Sequence, residues 1–327
     1  MRLQKVHGSQ NSFFILDQTL LKQPLTEQEL IALTKKLTAT NTGILGGADG
    51  VLCIEAPTSK NALAKMRVIN TDGSEASMCG NGLRTVARYL ADKYQREHFL
   101  VETLQADLAV SKEPELAPDV PAFGVEISPI HFEKHYLPFD NLGADKIIDR
   151  PLREFDPSAK IRFSILAVPN PHLIGFVPDI KASATLLEQL GQKLNRPNPY
   201  FTDGVNVNFA EVLGPKKLFV RTYERGVGFT NACGTGMSAT SLAFHLSFPE
   251  LCPLNEEITV FNPGGMVKTK VSQTEGIYKL QLIGNATVTH LIDVDEQALY
   301  QNDVTSKNCT ITETSEQAAY LDFIQRS

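Results

Sequence analysis

Two cysteines stand in the same short setting, Met78-Cys79-Gly80-Asn81-Gly82 and Ala232-Cys233-Gly234-Thr235-Gly236. Each follows a strand-like stretch and a glycine-containing turn, and each precedes a helical pattern. They lie about half a chain apart, the spacing of a duplicated domain with one cysteine per copy. A cysteine in the first turn of a helix feels the positive end of the helix dipole, which favours thiolate, and glycines there leave N–H groups uncovered for an anion. A carboxylate is the natural guest. Were two such helix ends to face each other across a domain interface, a carboxylate could take N–H groups from both while a sulfur sat on each face of its α-carbon. One thiolate would then remove the α-proton and the opposite thiol return one.

Taken singly, a cysteine before a helix is most often a small buried residue; the matched pair carries the chemical reading. Cys53, in Val51-Leu52-Cys53-Ile54, reads as core, and Cys252 and Cys309 lack the glycine context. A cysteine hydrolase using His172 of Asn170-Pro171-His172 as base would leave the second matched cysteine without a role. Zinc on Cys79, Cys233 and His172 has no finger-like spacing. Gly43, Gly46, Gly47 and Gly50 form neither G-x-G-x-x-G nor a Walker A sequence.

The elements that must position these residues alternate short strands with few helices. In the first half, Phe13–Asp17, Val51–Glu55, Lys65–Thr71, Phe99–Thr103, Leu108–Lys112 and Phe123–Ile127 read as strands. Thr26 and Glu29 form a capping box ahead of Leu30, Leu33 and Leu37, a helix to about Thr38. Leu83, Val86, Ala87 and Leu90 mark one face of a second helix that opens after Gly82. Glu113 to Pro121, with three prolines, reads as an exposed excursion, and the crossover between halves falls near Ser128 to His131. The second half repeats the plan: strands at Ile161–Val168, Leu173–Val177, Val205–Val212, Leu218–Thr222, Ile258–Phe261, Met266–Val271 and Tyr278–Ile283, a surface helix over Ser183–Leu194, and a helix after Gly236 that is small and apolar almost all round. A polar tail from about Asp293 ends in a helical pattern, Ser315 to Gln325.

The 327 residues, 42% hydrophobic and 21% charged, have the composition of a soluble globular protein of about two domains. A formal net charge of −6 leaves no broad electropositive surface for nucleic acid. No run approaches the ~18 apolar residues that span a bilayer. The expectation is a cytoplasmic protein with reduced thiols, because five irregularly spaced cysteines without a C-x-x-C pair make no disulfide framework.

From His7 to about Gly284 the chain resembles the diaminopimelate epimerase family. The resemblance rests on His7-Gly8-Ser9-Gln10-Asn11-Ser12-Phe13, Gly47-Ala48-Asp49-Gly50, Asn70 to Glu75 leading to Met78 to Arg84, Asn170-Pro171-His172, Val205-Asn206-Val207, Tyr223-Glu224-Arg225-Gly226-Val227-Gly228 leading to Ala232 to Gly236, and Pro263-Gly264-Gly265. It implies an α/β fold of two pseudo-symmetric domains, each a curved mixed sheet wrapped around a central helix, with the site in the cleft between them. The expected domains are 1–129, with the tail from about 286 docking back onto it, and 130–285. The resemblance implies epimerisation of LL- and meso-2,6-diaminopimelate without a cofactor or metal, by a homodimer. Cys79 would be the proton donor and Cys233 the acceptor when LL is converted to meso. Gly80, Asn81, Gly234 and Thr235 would hold the reacting α-carboxylate, and Asn11 the amino group beside it. Asn70, Asn170, Asn206, Glu224 and Arg225 would read the distal amino-acid end, with Arg225 gripping a carboxylate bidentately; His172 and Glu224 would tune the thiols. Gln10 and Ser12 stand where the family usually has Gly and Asp, and Phe229 where an acidic residue often stands. Racemisation of another amino acid, of histidine or proline type, and non-catalytic amino-acid binding are the alternative readings.

Overall fold

The computed structural model describes residues 1–76 and 78–326. The chain forms two units, Met1–Val125 with Ile283–Arg326, and Glu126–Leu282. In chain order the first unit opens with β1 (Arg2–Gly8), β2 (Asn11–Asp17), α1 (Glu27–Thr38), β3 (Gly50–Glu55), β4 (Ala62–Asn70), β5 (Glu75–Ala76), α2 (Gly80–Tyr94), β6 (His98–Glu102), β7 (Asp107–Ala117) and β8 (Val120–Ile127). The second unit carries β9 (Arg150–Pro151), β10 (Arg162–Ala167), β11 (Pro171–Phe176), α3 (Ala184–Leu194), β12 (Asn206–Gly214), β13 (Lys217–Glu224), β14 (Gly228–Thr230), α4 (Gly234–Ser247), β15 (Glu257–Asn262), β16 (Gly265–Thr274) and β17 (Ile277–Asn285). The chain then returns to the first unit with β18 (Thr287–Val294), α5 (Glu296–Tyr300), β19 (Cys309–Glu313) and α6 (Glu316–Arg326).

The first unit is a mixed sheet in the order β19-β18-β1-β2-β3-β4-β6-β7-β8, with β5 flanking β4. Neighbours are antiparallel except β2/β3 and β4/β6. A parallel pair needs a crossover, and α1 and α2 supply the two. In the second unit the order is β9-β10-β11-β12-β13-β15-β16, with β14 flanking β13. Its parallel pairs are β11/β12 and β13/β15, crossed by α3 and α4. Hairpin, crossover helix, hairpin, short strand, cysteine helix and hairpin therefore recur in the same order in both units.

Each cysteine helix is packed by the strands of its own unit. On α2, Leu83, Val86, Ala87 and Leu90 are fully buried, as their helical spacing requires. In α4 the run Gly236 to Phe244 is buried on every face, and the hydroxyls of Ser238, Thr240 and Ser241 donate to the carbonyls of Gly234, Gly236 and Met237. Such back-bonding lets polar residues enter a core without an orphaned donor. The capping box is formed at Thr26 and Glu29, and Leu30, Leu33 and Leu37 join Phe14, Val51 and Ile69 in the core. In α3, Gly191 is small because a Cβ there would stand 2.2 Å from the Tyr223 ring.

The structure departs from the sequence reading in four places. Both cysteine helices begin three residues earlier than expected, at Gly80 and Gly234, because the cysteines themselves are the N-caps. Glu113 to Pro121 is no excursion: β7 runs to Ala117 and returns as β8, and Pro114 is tolerated where the register shifts between Glu113 and Ala117. Arg2–Gly8 is a strand, held from both sides by β2 and β18 despite only two buried aliphatic side chains, Leu3 and Val6. The polar tail holds β18, paired with β1, and β19 beside it.

Candidate active site

In the first unit the site grows from the N-terminus of α2. Cys79 has extended backbone angles and its sulfur accepts the N–H of Gly82 at 3.3 Å, the cap position at which a side-chain acceptor satisfies a free helix donor. Its thiol faces Asn11 Oδ1 at 3.6 Å. Asn11 is held in turn: its amide donates to Asp49 Oδ2 at 2.7 Å, and its Oδ1 also receives the Asn81 amide at 3.4 Å. Asp49 takes the Ser12 N–H at 2.8 Å as well. The structure thus brings Cys79, Gly80, Asn81 and Asn11 together. Asn70 stands at the end of β4, paired with Gly50 across β3, and gives its amide to Ser74 Oγ at 3.0 Å.

The second unit builds the matching end. The sulfur of Cys233 accepts the N–H of Gly236 at 3.4 Å and lies 3.6 Å from Thr235 Oγ1. Glu224, at the end of β13, takes the Thr230 hydroxyl and faces the Cys233 thiol. Burial, reinforced by that carboxylate, pushes Cys233 up to about 12. Cys79 is also pushed upward by burial, but there the Gly82 N–H and the positive charge of Arg84 pull the other way.

His172 is fully buried and linked to two asparagines. Its Nε2 donates to Asn170 Oδ1 at 3.0 Å and its Nδ1 accepts from the Asn208 amide at 3.1 Å, a tautomer assigned by these partners. Burial, with the nearby charge of Arg225, lowers it to about 3, so it is a neutral imidazole. Its partners in the structure are amides, not a thiol. Asn206 is buried and spends its Oδ1 on the Arg225 N–H at 2.8 Å. Arg225 is exposed and gives Nη1 to the Asp203 carbonyl at 3.0 Å.

Sequence reasoning passed over several residues that shape these ends. Asp49 and Arg84 lay inside matched motifs without a role. Asn208, which joins His172 to Thr222, and Asn285, whose Oδ1 takes the Ser9 N–H at 2.8 Å, carried no signal, because their partners are distant in sequence. Phe229, at the position of the usual acidic residue, lies edge-on to Tyr223 with the Arg221 guanidinium over its ring at 4.4 Å.

Two α/β units of one topology, each presenting a cysteine-capped glycine helix, belong to an enzyme of the epimerase class. Within that class the chain belongs to the diaminopimelate epimerase family, whose sequence profile matches residues 3–117 and 165–288. It is 50% identical over 324 residues to the diaminopimelate epimerase of Enterococcus faecalis, covering 99% of this chain and 97% of the relative. It is also 50% identical over 326 residues to that of Ligilactobacillus salivarius, covering 99% and 98%. In fold it is similar to a phenazine biosynthesis protein of the PhzF family from Bacillus anthracis, with a TM-score of 0.58 at 14% identity over 88% of this chain and 96% of that one.

Proposed function

We propose that the protein interconverts LL- and meso-2,6-diaminopimelate, without a cofactor, by using Cys79 and Cys233 as a pair of acid and base on one α-carbon. The observation that carries this reading is the repeated cap, a sulfur on a glycine N–H at 3.3 Å in one unit and 3.4 Å in the other, in a chain half identical to epimerases of this substrate. One thiolate removes the α-proton; the negative charge that develops is stabilised by N–H groups at the helix ends, and the other thiol returns a proton on the opposite face. In LL-to-meso conversion Cys233 is the acceptor and Cys79 the donor.

The remaining roles follow from what each side chain offers. Gly80 and Asn81 on α2, and Gly234 and Thr235 on α4, supply the N–H groups for the reacting α-carboxylate. Asn11 offers its Oδ1 to the adjacent ammonium. Arg225 has guanidinium donors to spare beyond its one bond to Asp203 and takes the distal carboxylate; Asn70, Asn170, Asn206 and Glu224 complete that end. Glu224 and His172 tune the thiols, Glu224 as the negative charge that faces Cys233 and His172, neutral, by orienting Asn170. The assembly carried by this reading is a cytoplasmic homodimer. Among the described residues no helix is long and apolar enough to cross a membrane.

The test is α-proton exchange in D2O, without added cofactor and under reducing conditions, over LL- and meso-diaminopimelate, histidine, proline and lysine. Exchange confined to diaminopimelate is expected, and Cys79→Ala and Cys233→Ala should each abolish turnover. Exchange with another amino acid alone would overturn the substrate, near-full activity in either alanine variant would overturn the two-thiol mechanism, and binding without exchange would favour a non-catalytic binding protein.

A further inference from the structure

Arg84 lies a turn beyond Cys79 on α2 and is fully buried. Its Nη2 donates to Asn81 Oδ1 at 2.9 Å and Ser9 Oγ at 3.2 Å, its Nε donates to the Asn285 carbonyl at 3.3 Å, and its Nη1 is buried without a hydrogen-bond partner. The slot that holds the guanidinium is walled by glycine. A Cβ on Gly8 would stand 2.9 Å from Nη2, and one on Gly284 would stand 2.9 Å from Cζ. Among the described residues every hydrogen-bond partner of the guanidinium is uncharged.

A cation removed from water is costly unless an anion answers it. Elsewhere in this unit the rule is kept: Arg67 meets Glu75, Arg88 meets Glu316 and Lys93 meets Asp17. Around Arg84 the other ionisable groups are accounted for. His7, from β1, is lowered to about 4 by burial and is neutral. Tyr320, from α6, is pushed up to about 12 by burial and keeps its proton. Glu316, also from α6, is committed to Arg88 and to the Val288 N–H. Asp49, ahead of β3, is committed to Asn11 and Ser12 and opposes a charge on the thiol. The group left is Cys79, joined to Arg84 through Asn81, whose Oδ1 takes Arg84 Nη2 and whose amide reaches the same Asn11 Oδ1 that the thiol faces at 3.6 Å. Among the described residues the second unit has no counterpart. Five residues after Cys233 stands Ser238, buried with its hydroxyl on the Gly234 carbonyl, and the charge that reaches Cys233 is the negative one of Glu224.

We infer that Arg84 is a positioning residue, the fixed counter-charge of Cys79, so that of the two thiols Cys79 is the one that ionises first while Cys233 keeps its proton. The inference rests on the reading that the two thiols work as a pair. It makes the protein asymmetric towards its two substrates. The meso isomer, whose proton Cys79 removes, meets the base that forms more readily. The LL isomer needs the other protonation state, reached when one proton leaves Cys233 and one joins Cys79, with net charge unchanged.

The full-length protein is alkylated with iodoacetamide from about pH 6 to 10, and the Cys79 and Cys233 peptides are quantified separately by mass spectrometry. Cys79 should react with a midpoint at least about one pH unit below that of Cys233. Arg84→Met should raise the Cys79 midpoint by about a unit, a roughly tenfold loss of Cys79 alkylation at neutral pH, and leave Cys233 unmoved; Arg84→Lys should restore it. An unchanged Cys79 profile in folded Arg84→Met overturns the inference, as does that result with a raised KM alone, which would give the arginine to the substrate carboxylate. Where Arg84→Met does not fold, as judged by circular dichroism, the order of the two midpoints in the unmodified protein decides. Absence of α-proton exchange in the unmodified protein would sink the epimerase reading whatever that order is, whereas a reversed order sinks only this inference.

Discussion

A Cβ placed on Gly236 would stand 2.5 Å from Oδ1 of Asn208. That oxygen cannot move away, because Asn208 is bonded to Thr222, His172 and the carbonyls of Leu173 and Asn206. The glycine is what lets the N–H of the third helical residue reach the Cys233 sulfur. Its counterpart, Gly82, faces Leu52 Cδ2 at 2.7 Å, the far end of a flexible side chain.

The two glycines should therefore differ on substitution. Gly236→Ala is expected to lose about 1–3 kcal/mol of stability by overpacking and, by displacing the sulfur, about a hundredfold in kcat. Gly82→Ala should lose less of both. Urea unfolding and steady-state kinetics on the pair check this; equal losses would show that Asn208 yields as readily as Leu52.

A gain is expected at the β1–β2 turn. Ser9 and Gln10 both have positive φ, 51° and 64°, the conformation of a two-residue hairpin loop that favours glycine or asparagine. Gln10→Gly relieves the Cβ clash at that position and should raise stability by about 0.5–1 kcal/mol. A urea midpoint that falls instead would mean that the Gln10 side chain contributes more than the strain costs.

Two histidines make stability depend on pH. His7 is lowered to about 4 and His172 to about 3, in each case by burial first. The unfolded chain, whose histidines titrate near about 6.5, binds more protons than the folded one below that value, so stability is full above it and falls as the pH drops towards the folded values. Each group contributes a slope of about 1.4 kcal/mol per pH unit once the unfolded form is protonated. Between about pH 6.5 and 5, ahead of most carboxylate titration, His7→Gln and His172→Gln should each reduce the measured slope by about one proton.

The tail is held by one half-buried ion pair worth more than the exposed ones. Glu316 receives two bonds from Arg88, at 2.6 and 2.7 Å, and the Val288 N–H at 2.8 Å. Glu316→Ala leaves Arg88 only the exposed Asp92, at 3.9 Å, and should cost about 2 kcal/mol. Arg326→Ala, which breaks a pair whose side chains are 77% and 56% exposed, should cost about 0.5 kcal/mol or less. Thermal unfolding of both variants is the comparison.

What could be read from the sequence was local. The capping box at Thr26, the apolar stripe of α2 and the doubled Cys-Gly-x-Gly each lie within a few residues, where spacing reports geometry. Arg84 was illegible for the opposite reason. A charge on a helix reads as a solvent face, and only the return of Gly284 and Asn285 from the far end of the chain buries it. The strand Arg2–Gly8 has too few apolar residues to announce itself and exists because β2 and β18 pair with it. The helix start was misplaced by three residues because cysteine is not a usual capping residue, and nothing local says that its sulfur will take the cap.

Strand β1 lies between β2, its immediate successor, and β18, which begins at Thr287. The second unit is thus spliced into the first, contiguous in sequence while its host is not. During synthesis the second unit has all of its strands before the first can close its sheet, since Leu3 must wait for Ile292. Closing so long a loop is slow. Until then β1 keeps one open edge beside a nearly complete chain, a period in which this protein is most exposed to pairing with the wrong strand.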